Sequence, residues 1–206
     1  MKKKALNIQD IRNYQPKILE FDGRWEELIG SPELTGSWII WGESANGKTR
    51  FALQLAKYLS KFGKVLYNSL EEGLSHSMQR AIGDIGMSDE KSNFFLLDQE
   101  AIVDLKTRLK KQRSANIIII DSLQYTGMSY NDYKQLRDTF KNKLFIYISH
   151  ADGKAPRGNV AKSVKYDAFV KINVSGFMAY AQSRYGGGKE YVIWEKGAKE
   201  YGQENI

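Results

Sequence analysis

The sequence predicts an α/β protein in which a mostly parallel central sheet is flanked by helices, with antiparallel strands at its C-terminal end. Between residues 36 and 150, short apolar runs alternate with segments of helical periodicity, which is the pattern of βαβ units. Residues 117–120 are four consecutive isoleucines, as expected for a strand that is buried on both faces of a parallel sheet. After about residue 167 the helical periodicity stops and β-rich stretches follow.

The individual elements follow from the spacing of apolar residues. Strands of the parallel sheet are predicted at 37–41, 64–69, 94–97, 116–121 and 144–149. Apolar residues at helical spacing predict helices at 48–62, 75–85, 102–113 and 133–140. Three later β-rich stretches, separated by glycines, predict antiparallel strands added to one end of the sheet. These stretches lie near 168–174, 177–182 and 190–194.

Length and composition indicate one globular domain. Of the 206 residues, 42% are hydrophobic and 27% charged, which is ordinary globular usage; we place the domain at 36–206 and a polar lead-in segment at 1–35. The sequence has no cysteine, which excludes disulfides, thiol nucleophiles and cysteine-ligated metals. It has no long apolar run and no recognisable signal peptide, so we expect no membrane contact and a cytoplasmic location. The net charge of +7 favours polyanionic partners such as nucleic acid.

The motif with the clearest chemistry is the segment 42–49, Gly-Glu-Ser-Ala-Asn-Gly-Lys-Thr, which matches G-x-x-x-x-G-K-[ST] between a predicted strand and a predicted helix. A tight loop at a helix N-terminus directs backbone N–H groups at a phosphate. Gly47 permits close approach of the backbone, Lys48 can reach the β and γ phosphates, and the Thr49 hydroxyl suits magnesium. The predicted nucleotide-binding set is Gly42, Glu43, Ser44, Ala45, Asn46, Gly47, Lys48, Thr49 and Arg50.

Polar side chains follow three other predicted strands, where ligands bind in parallel sheets. Asp121 ends the isoleucine strand and is expected, with Thr49, to hold magnesium. Glu71 and Glu72 follow the strand at 64–69 and can accept a proton from an attacking water. His150 ends a fourth strand, where it either contacts the terminal phosphate or plays a structural part. His76 lies in a polar helical stretch, and we assign it no function.

Together these motifs resemble the RecA-like core of P-loop ATPases, in the branch that contains RadA, the DnaB-type replicative helicases and the KaiC-like ATPases. The resemblance covers roughly residues 36–200. Residues 65–72, Val-Leu-Tyr-Asn-Ser-Leu-Glu-Glu, are similar to the strand and acidic pair of RadA and KaiC. Residues 149–154 are similar to the sensor turn of RadA, and 163–172 to its helix-to-strand step. Residues 182–186, Gln-Ser-Arg-Tyr-Gly, resemble a motif with lysine and arginine two residues apart.

This resemblance implies ATP and Mg²⁺ as ligands, catalysis by Glu71 as the base that activates water, and assistance from Glu72. It also implies a homo-oligomer, a ring or a filament, in which Arg184 acts as an arginine finger on nucleotide held by the next subunit. The alternative is an ordinary hairpin arginine at this position. The chain departs from the family at Gln182, which stands where the family has lysine, so one of two charges is lost.

Such cores carry a DNA-facing loop at the position of residues 152–165. Here that segment contains two glycines and four basic residues, which are Lys154, Arg157, Lys162 and Lys165. Basic groups on a flexible stretch can contact phosphates of single-stranded DNA without reading sequence; a loop of solvated charges is the alternative. The basic start, Met1–Lys4, is interpreted as a solvated tail.

Three functions share this set of residues. The first is a magnesium-dependent, oligomeric ATPase that works on or near single-stranded DNA in recombination or replication. The second is a nucleotide-switched adaptor or loader with slow turnover, and the third is a KaiC-like regulatory ATPase with protein partners and no DNA contact. Small-molecule P-loop kinases are disfavoured because the chain ends in β-rich segments, where these kinases have lid arginines.

Overall fold

The computed structural model describes residues 5–87 and 93–204, so the predicted tail at Met1–Lys4 lies outside the described residues. Helices comprise α1 Ile8–Arg12, α2 Gly23–Ile29, α3 Lys48–Leu59, α4 His76–Asp84, α5 Ile102–Leu109, α6 Tyr130–Thr139, α7 Asn159–Asp167 and α8 Glu195–Glu204. Strands comprise β1 Gly36–Gly42, β2 Val65–Ser69, β3 Phe94–Asp98, β4 Ile117–Asp121, β5 Leu144–Asp152, β6 Ala155–Pro156, β7 Val170–Ser175, β8 Met178–Ser183 and β9 Tyr191–Val192. Over 5–87 and 93–204, no helix has the length and apolar character needed to cross a bilayer.

The main sheet has the strand order β3-β2-β4-β5-β1-β7-β8-β9, which confirms the predicted α/β class. Strands β3, β2, β4, β5 and β1 are parallel, and β8 and β9 are antiparallel additions at one end. The prediction for the first C-terminal strand was wrong in one respect, because β7 pairs with β1 in parallel. The reason is that α7 crosses over between β5 and β7, which gives β7 the direction of a βαβ unit.

Each face of the sheet is covered by its own core. Ile117 and Ile119 of β4 belong to one buried cluster, and Ile118 and Ile120 belong to the other. The first cluster includes buried residues of α2 and α3, and the second includes those of α5, α6 and α7. Because β4 is buried on both faces, its carboxyl end can only be reached from the edge of the sheet.

Part of the predicted lead-in packs into the first core. Leu19, Phe21 and Leu34 are buried in the same cluster as the centre of the sheet. Asp22 is bonded to Tyr58 of α3, whose hydroxyl donates to Asp22 Oδ1 at 2.7 Å. By contrast, α1 has no buried residue. The division at residue 35 remains a prediction, and residues 19–34 lie within the fold's main core.

The segment 152–165 is not the flexible loop that the sequence predicted. Strand β5 continues to Asp152 and turns into the short strand β6, and α7 follows. The turn is fixed by Trp41, whose Nε1 donates to the backbone oxygen of Lys154 at 3.3 Å. Ala161 and Val164 anchor α7 in the second core. The two glycines and the basic residues hid this packing, because only two apolar residues of the helix carry it.

Candidate active site

Four parallel strands end at the same edge of the sheet and bring the predicted site residues together. In the strand register, Ser69 of β2 faces Asp121 of β4, and Gly42 of β1 faces His150 of β5. They surround a pocket of about 310 Å³. Its lining residues are Ser44, Ala45, Gly47, Lys48, Thr49, Arg50, Glu71, Glu72, Asp121, His150 and Phe177.

The loop after β1 has the geometry of a phosphate cradle. Gly47 has φ +93°, and a Cβ at this position would lie 3.0 Å from Phe177 Cδ1, so glycine is required here. Helix α3 begins directly after it at Lys48, and within the described residues no side chain caps this helix. The first N–H groups of α3 and its dipole therefore face the pocket, where they favour an anion.

The cradle is tied to the hairpin of β7 and β8. The Gly176 N–H donates to Asn46 Oδ1 at 2.6 Å, and the Phe177 N–H donates to the Asn46 backbone oxygen at 3.3 Å. Gly176 and Phe177 form the turn between these two strands. The position of the phosphate loop is therefore coupled to the hairpin by two hydrogen bonds.

Two cations border the pocket. Lys48 Nζ donates to the backbone oxygen of Glu43 at 2.7 Å. Burial lowers the pKa of Lys48, although Asp121 and nearby glutamates act in the opposite direction; a bound phosphate would favour its charged form. Arg50 lies 4.0 Å from Asp84, and its Nε is buried without a hydrogen-bond partner among the described residues.

Asp121 is a buried carboxylate with one strong neighbour. Tyr67 donates its hydroxyl to Asp121 Oδ2. Burial raises the pKa of Asp121 to about 6 in spite of this bond, and the nearby Glu71 and Glu72 contribute to the increase. A divalent cation would relieve this cost, and the Asp121 carboxylate with the Thr49 hydroxyl supplies the oxygen ligands that Mg²⁺ prefers. The residues present therefore fit magnesium.

The two adjacent glutamates differ in their surroundings. Glu71 Oε2 lies 3.0 Å from His150 Nε2 and accepts the Ser122 hydroxyl at 3.2 Å. The Glu71 backbone N–H also donates to the Asp121 oxygen at 3.2 Å. Glu72 instead accepts from Ser77 at the start of α4, at 3.1 Å. Glu71 is thus held over the ends of β4 and β5, while Glu72 is drawn toward α4.

Sequence reasoning missed three side chains that organise this site. Tyr67 binds Asp121, Ser122 binds Glu71, and Gln124 binds the strand end that carries His150. Gln124 Oε1 accepts the His150 N–H at 3.1 Å, and its Nε2 donates to the Arg157 backbone oxygen at 2.9 Å. The available signal was proximity in sequence, since Ser122 and Gln124 closely follow Asp121.

Other predicted residues lie away from the pocket. Arg184 follows β8, and its guanidinium stacks over Phe169, 4.6 Å from the ring centroid. Ser183 pairs with Val170 at the start of β7, so Arg184 lies at the end of the hairpin that is far from the phosphate loop. His76 is exposed at the first residue of α4, away from the residues that line the pocket.

The four basic residues of 152–165 are spread over the turn and α7. Lys154, Arg157 and Lys162 are exposed. Lys165 is half-buried, with Nζ 4.2 Å from the centroid of the Trp41 ring. Three of the four cations are therefore open to an external partner, and Lys165 is engaged within the protein.

Comparison with solved structures defines the fold class. The chain is similar to the flagellar accessory protein FlaH from Methanocaldococcus jannaschii, with 16% identity, a TM-score of 0.63 and coverage of 85% of this chain and 92% of that one. It is similar to the ATPase domain of a helicase, with 17% identity, a TM-score of 0.58 and coverage of 84% and 86%. It is also similar to the KaiC-like protein PH0186 from Pyrococcus horikoshii OT3, with 17% identity, a TM-score of 0.61 and coverage of 86% and 93%.

No protein-family profile and no curated protein matches the sequence. The structural comparisons nevertheless confirm the RecA-like P-loop fold that the motifs predicted. At identities of 16–17% this likeness shows the fold, and function has to be argued from the site itself.

Proposed function

We propose that this protein is a magnesium-dependent ATPase that assembles into an oligomer and acts on or near single-stranded DNA in recombination or replication. The observation that carries the proposal is the convergence of Lys48, Asp121 and the bonded pair Glu71–His150 around one pocket at the phosphate loop. The likeness to the helicase ATPase domain supports ATP hydrolysis.

Each residue has a distinct part in the proposed reaction. The α3 N-terminus and Lys48 bind the β and γ phosphates. Glu71 accepts a proton from the attacking water as the water oxygen bonds to the γ phosphorus and the bond to the β-phosphate oxygen breaks, which releases ADP and phosphate. His150 and Ser122 hold the Glu71 carboxylate in place. Magnesium bound by Thr49 and Asp121 would neutralise phosphate charge.

The position of Arg184 supports assembly. Arg184 is exposed at the far end of the β7–β8 hairpin, where it cannot reach the phosphate loop of its own chain. An arginine finger at this position acts on ATP held by a second copy. Activity then requires contact between subunits, which fits a ring or a filament.

Contact with DNA is supported by charge and by a direct connection to the site. Exposed Lys154, Arg157 and Lys162 offer phosphate contacts around one turn. Gln124 joins the Arg157 backbone to the backbone of His150, which contacts Glu71. A strand of DNA bound at this turn would therefore act on the group that holds the base.

The first experiment measures ATP turnover with and without oligothymidylate. We expect magnesium-dependent turnover that DNA stimulates, and no detectable turnover with weakened ATP binding in Lys48→Ala. Lys61→Ala, which removes an exposed lysine just past the opposite end of α3, is the matched control and keeps full activity. Near-normal turnover by Lys48→Ala would refute the site.

The same assay separates the alternative functions. Assembly on ATP with negligible turnover would indicate a nucleotide-switched adaptor or loader. Turnover that DNA does not change would indicate a regulatory ATPase of the KaiC-like kind with protein partners. A steep loss of DNA affinity with rising salt, reduced in the double variant Lys154→Gln/Arg157→Gln, would support the DNA-binding turn.

A further inference from the structure

A second polar pocket lies at the far end of the β7–β8 hairpin. It has a volume of about 410 Å³ and is lined by Lys171, Gln182, Arg184 and three consecutive glycines, among other residues. None of the residues that line it is an aspartate or glutamate. Among the described residues, neither Lys171 nor Arg184 forms an ion pair. Two cations around an open pocket without an acidic partner form an anion site.

The strand register puts Lys171 beside the residue that interrupts the charge pattern of this edge. Lys171 of β7 pairs directly with Gln182 of β8 in the antiparallel ladder. Directly paired residues project from the same face, with Cβ atoms about 5 Å apart. The ammonium group of Lys171 thus extends from the position next to Gln182, and it serves the pocket that a lysine at 182 would serve.

The turn that follows is built to hold Arg184 in place. The Gly188 N–H donates to the backbone oxygen of Leu28 in α2 at 3.0 Å. A Cβ on Gly187 would lie 2.6 Å from the Leu28 backbone, so this close approach needs glycine. With its guanidinium stacked on Phe169 as well, Arg184 is oriented before any ligand binds.

The anion cannot come from the phosphate pocket of the same chain. Lys171 lies four residues before Ser175, at the end of the hairpin that contacts the phosphate loop, which is about 14 Å of strand. The phosphate pocket of a second copy is complementary, because it would hold the triphosphate and is bordered by the exposed Glu71 and Glu72.

We propose that Lys171 and Arg184 together contact the terminal phosphates of ATP bound by a second copy of this chain, with Lys171 supplying the positive charge that Gln182 lacks. This inference rests on the proposed function and adds a residue to it. The two cations neutralise charge that grows on the phosphate oxygens as the bond to ADP breaks. No bond to protein is made or broken.

The test compares Lys171→Gln, Gln182→Lys and the double variant that carries both changes. Lys171→Gln is expected to lower turnover at saturating ATP about 100-fold while leaving the Kd for ATP unchanged. The double variant is expected to recover activity, because it moves the lysine to the facing position. Lys196→Gln, which removes an exposed charge on α8, is the control and should behave as wild type.

Unchanged turnover in Lys171→Gln, or a loss that the double variant does not restore, would overturn the proposal. If Arg184→Ala still loses activity in that case, the trans arginine stands and Lys171 alone is excluded. A second readout is assembly on a non-hydrolysable ATP analogue, followed by sedimentation. If the wild type does not hydrolyse ATP, this assembly decides: it should weaken in Lys171→Gln and return in the double variant, and equal assembly would exclude the contact.

Discussion

The two ends of the β7–β8 hairpin carry opposite kinds of polar site. At the phosphate loop, the charged groups already have partners within the protein: Lys48 binds a backbone oxygen, Asp121 binds Tyr67, and Glu71 binds His150. At the far end, Lys171 and Arg184 have no carboxylate partner among the described residues. The first site is internally balanced, and the second leaves its charge open to the outside.

This difference indicates how the two sites are used. A balanced site is organised before ligand arrives and exchanges weak internal bonds for stronger ones to phosphate and metal. An unbalanced pair of cations gains its partner only when another molecule supplies an anion. The comparison therefore divides the machinery between binding and chemistry in one subunit and activation by the next.

The largest effect that sharpens this comparison is expected from Glu71→Gln. The variant should keep ATP bound but slow hydrolysis by up to about 10⁴-fold, because the base is lost while its contacts with Ser122 and His150 remain possible. Glu72→Gln, whose side chain is bonded to Ser77, is the matched control and should cost much less. Single-turnover hydrolysis measures both, and a larger loss in Glu72→Gln would exchange the two assignments.

The next effect is expected at the far end, in Arg184→Ala. Turnover should fall about 10³-fold, the lower end of what an arginine finger contributes, with ATP binding retained. For the wild type, activity per subunit should rise with protein concentration, because only assembled subunits are complete. Kinetics over a concentration series and equilibrium ATP binding test both statements.

Mixing variants tests the division between the two ends directly. Lys48→Ala subunits keep a sound Arg184, and Arg184→Ala subunits keep a sound phosphate pocket. Some mixed interfaces are then complete, so activity should partly return. If the mixture stays inactive and wild-type turnover does not depend on concentration, Arg184 is an ordinary hairpin residue.

A smaller effect is expected on stability, from Asp121→Asn in protein free of metal and nucleotide. Since burial raises the Asp121 pKa to about 6, the unfolded chain ionises first as pH rises through about 4 to 6, and the wild type loses stability over this window. Above about pH 7 the variant should be more stable by about 2 kcal/mol. Chemical denaturation across pH measures the difference, which should vanish below about pH 4; parallel curves would contradict it.

The sequence predicted the features that depend on local pattern. The phosphate loop is one contiguous motif, and the isoleucine strand marks the centre of the sheet, so both were recognisable without the structure. The choice between Glu71 and Glu72 was made only through a family resemblance, because it depends on contacts to Ser122 and His150, distant in sequence. Tyr67 was not predicted, since its bond to Asp121 requires the pairing of β2 with β4.

Two structural details were predicted wrongly for related reasons. The segment 152–165 has the composition of a loop, and its helix is held by the contacts of Ala161 and Val164 with the second core. The parallel direction of β7 follows from that same helix, which returns the chain across the sheet. Once α7 was overlooked, the strand after it was assigned to an antiparallel hairpin.

The hydrogen bonds between Asn46 and the turn at Gly176 give the hairpin a consequence for cooperativity. One stiff ribbon touches the nucleotide loop of its own subunit at one end and presents cations to the next subunit at the other. Filling one pocket shifts the ribbon and so changes how well the neighbouring pocket is completed. By linkage, ATP binding at adjacent subunits should then be interdependent, with a Hill coefficient above one.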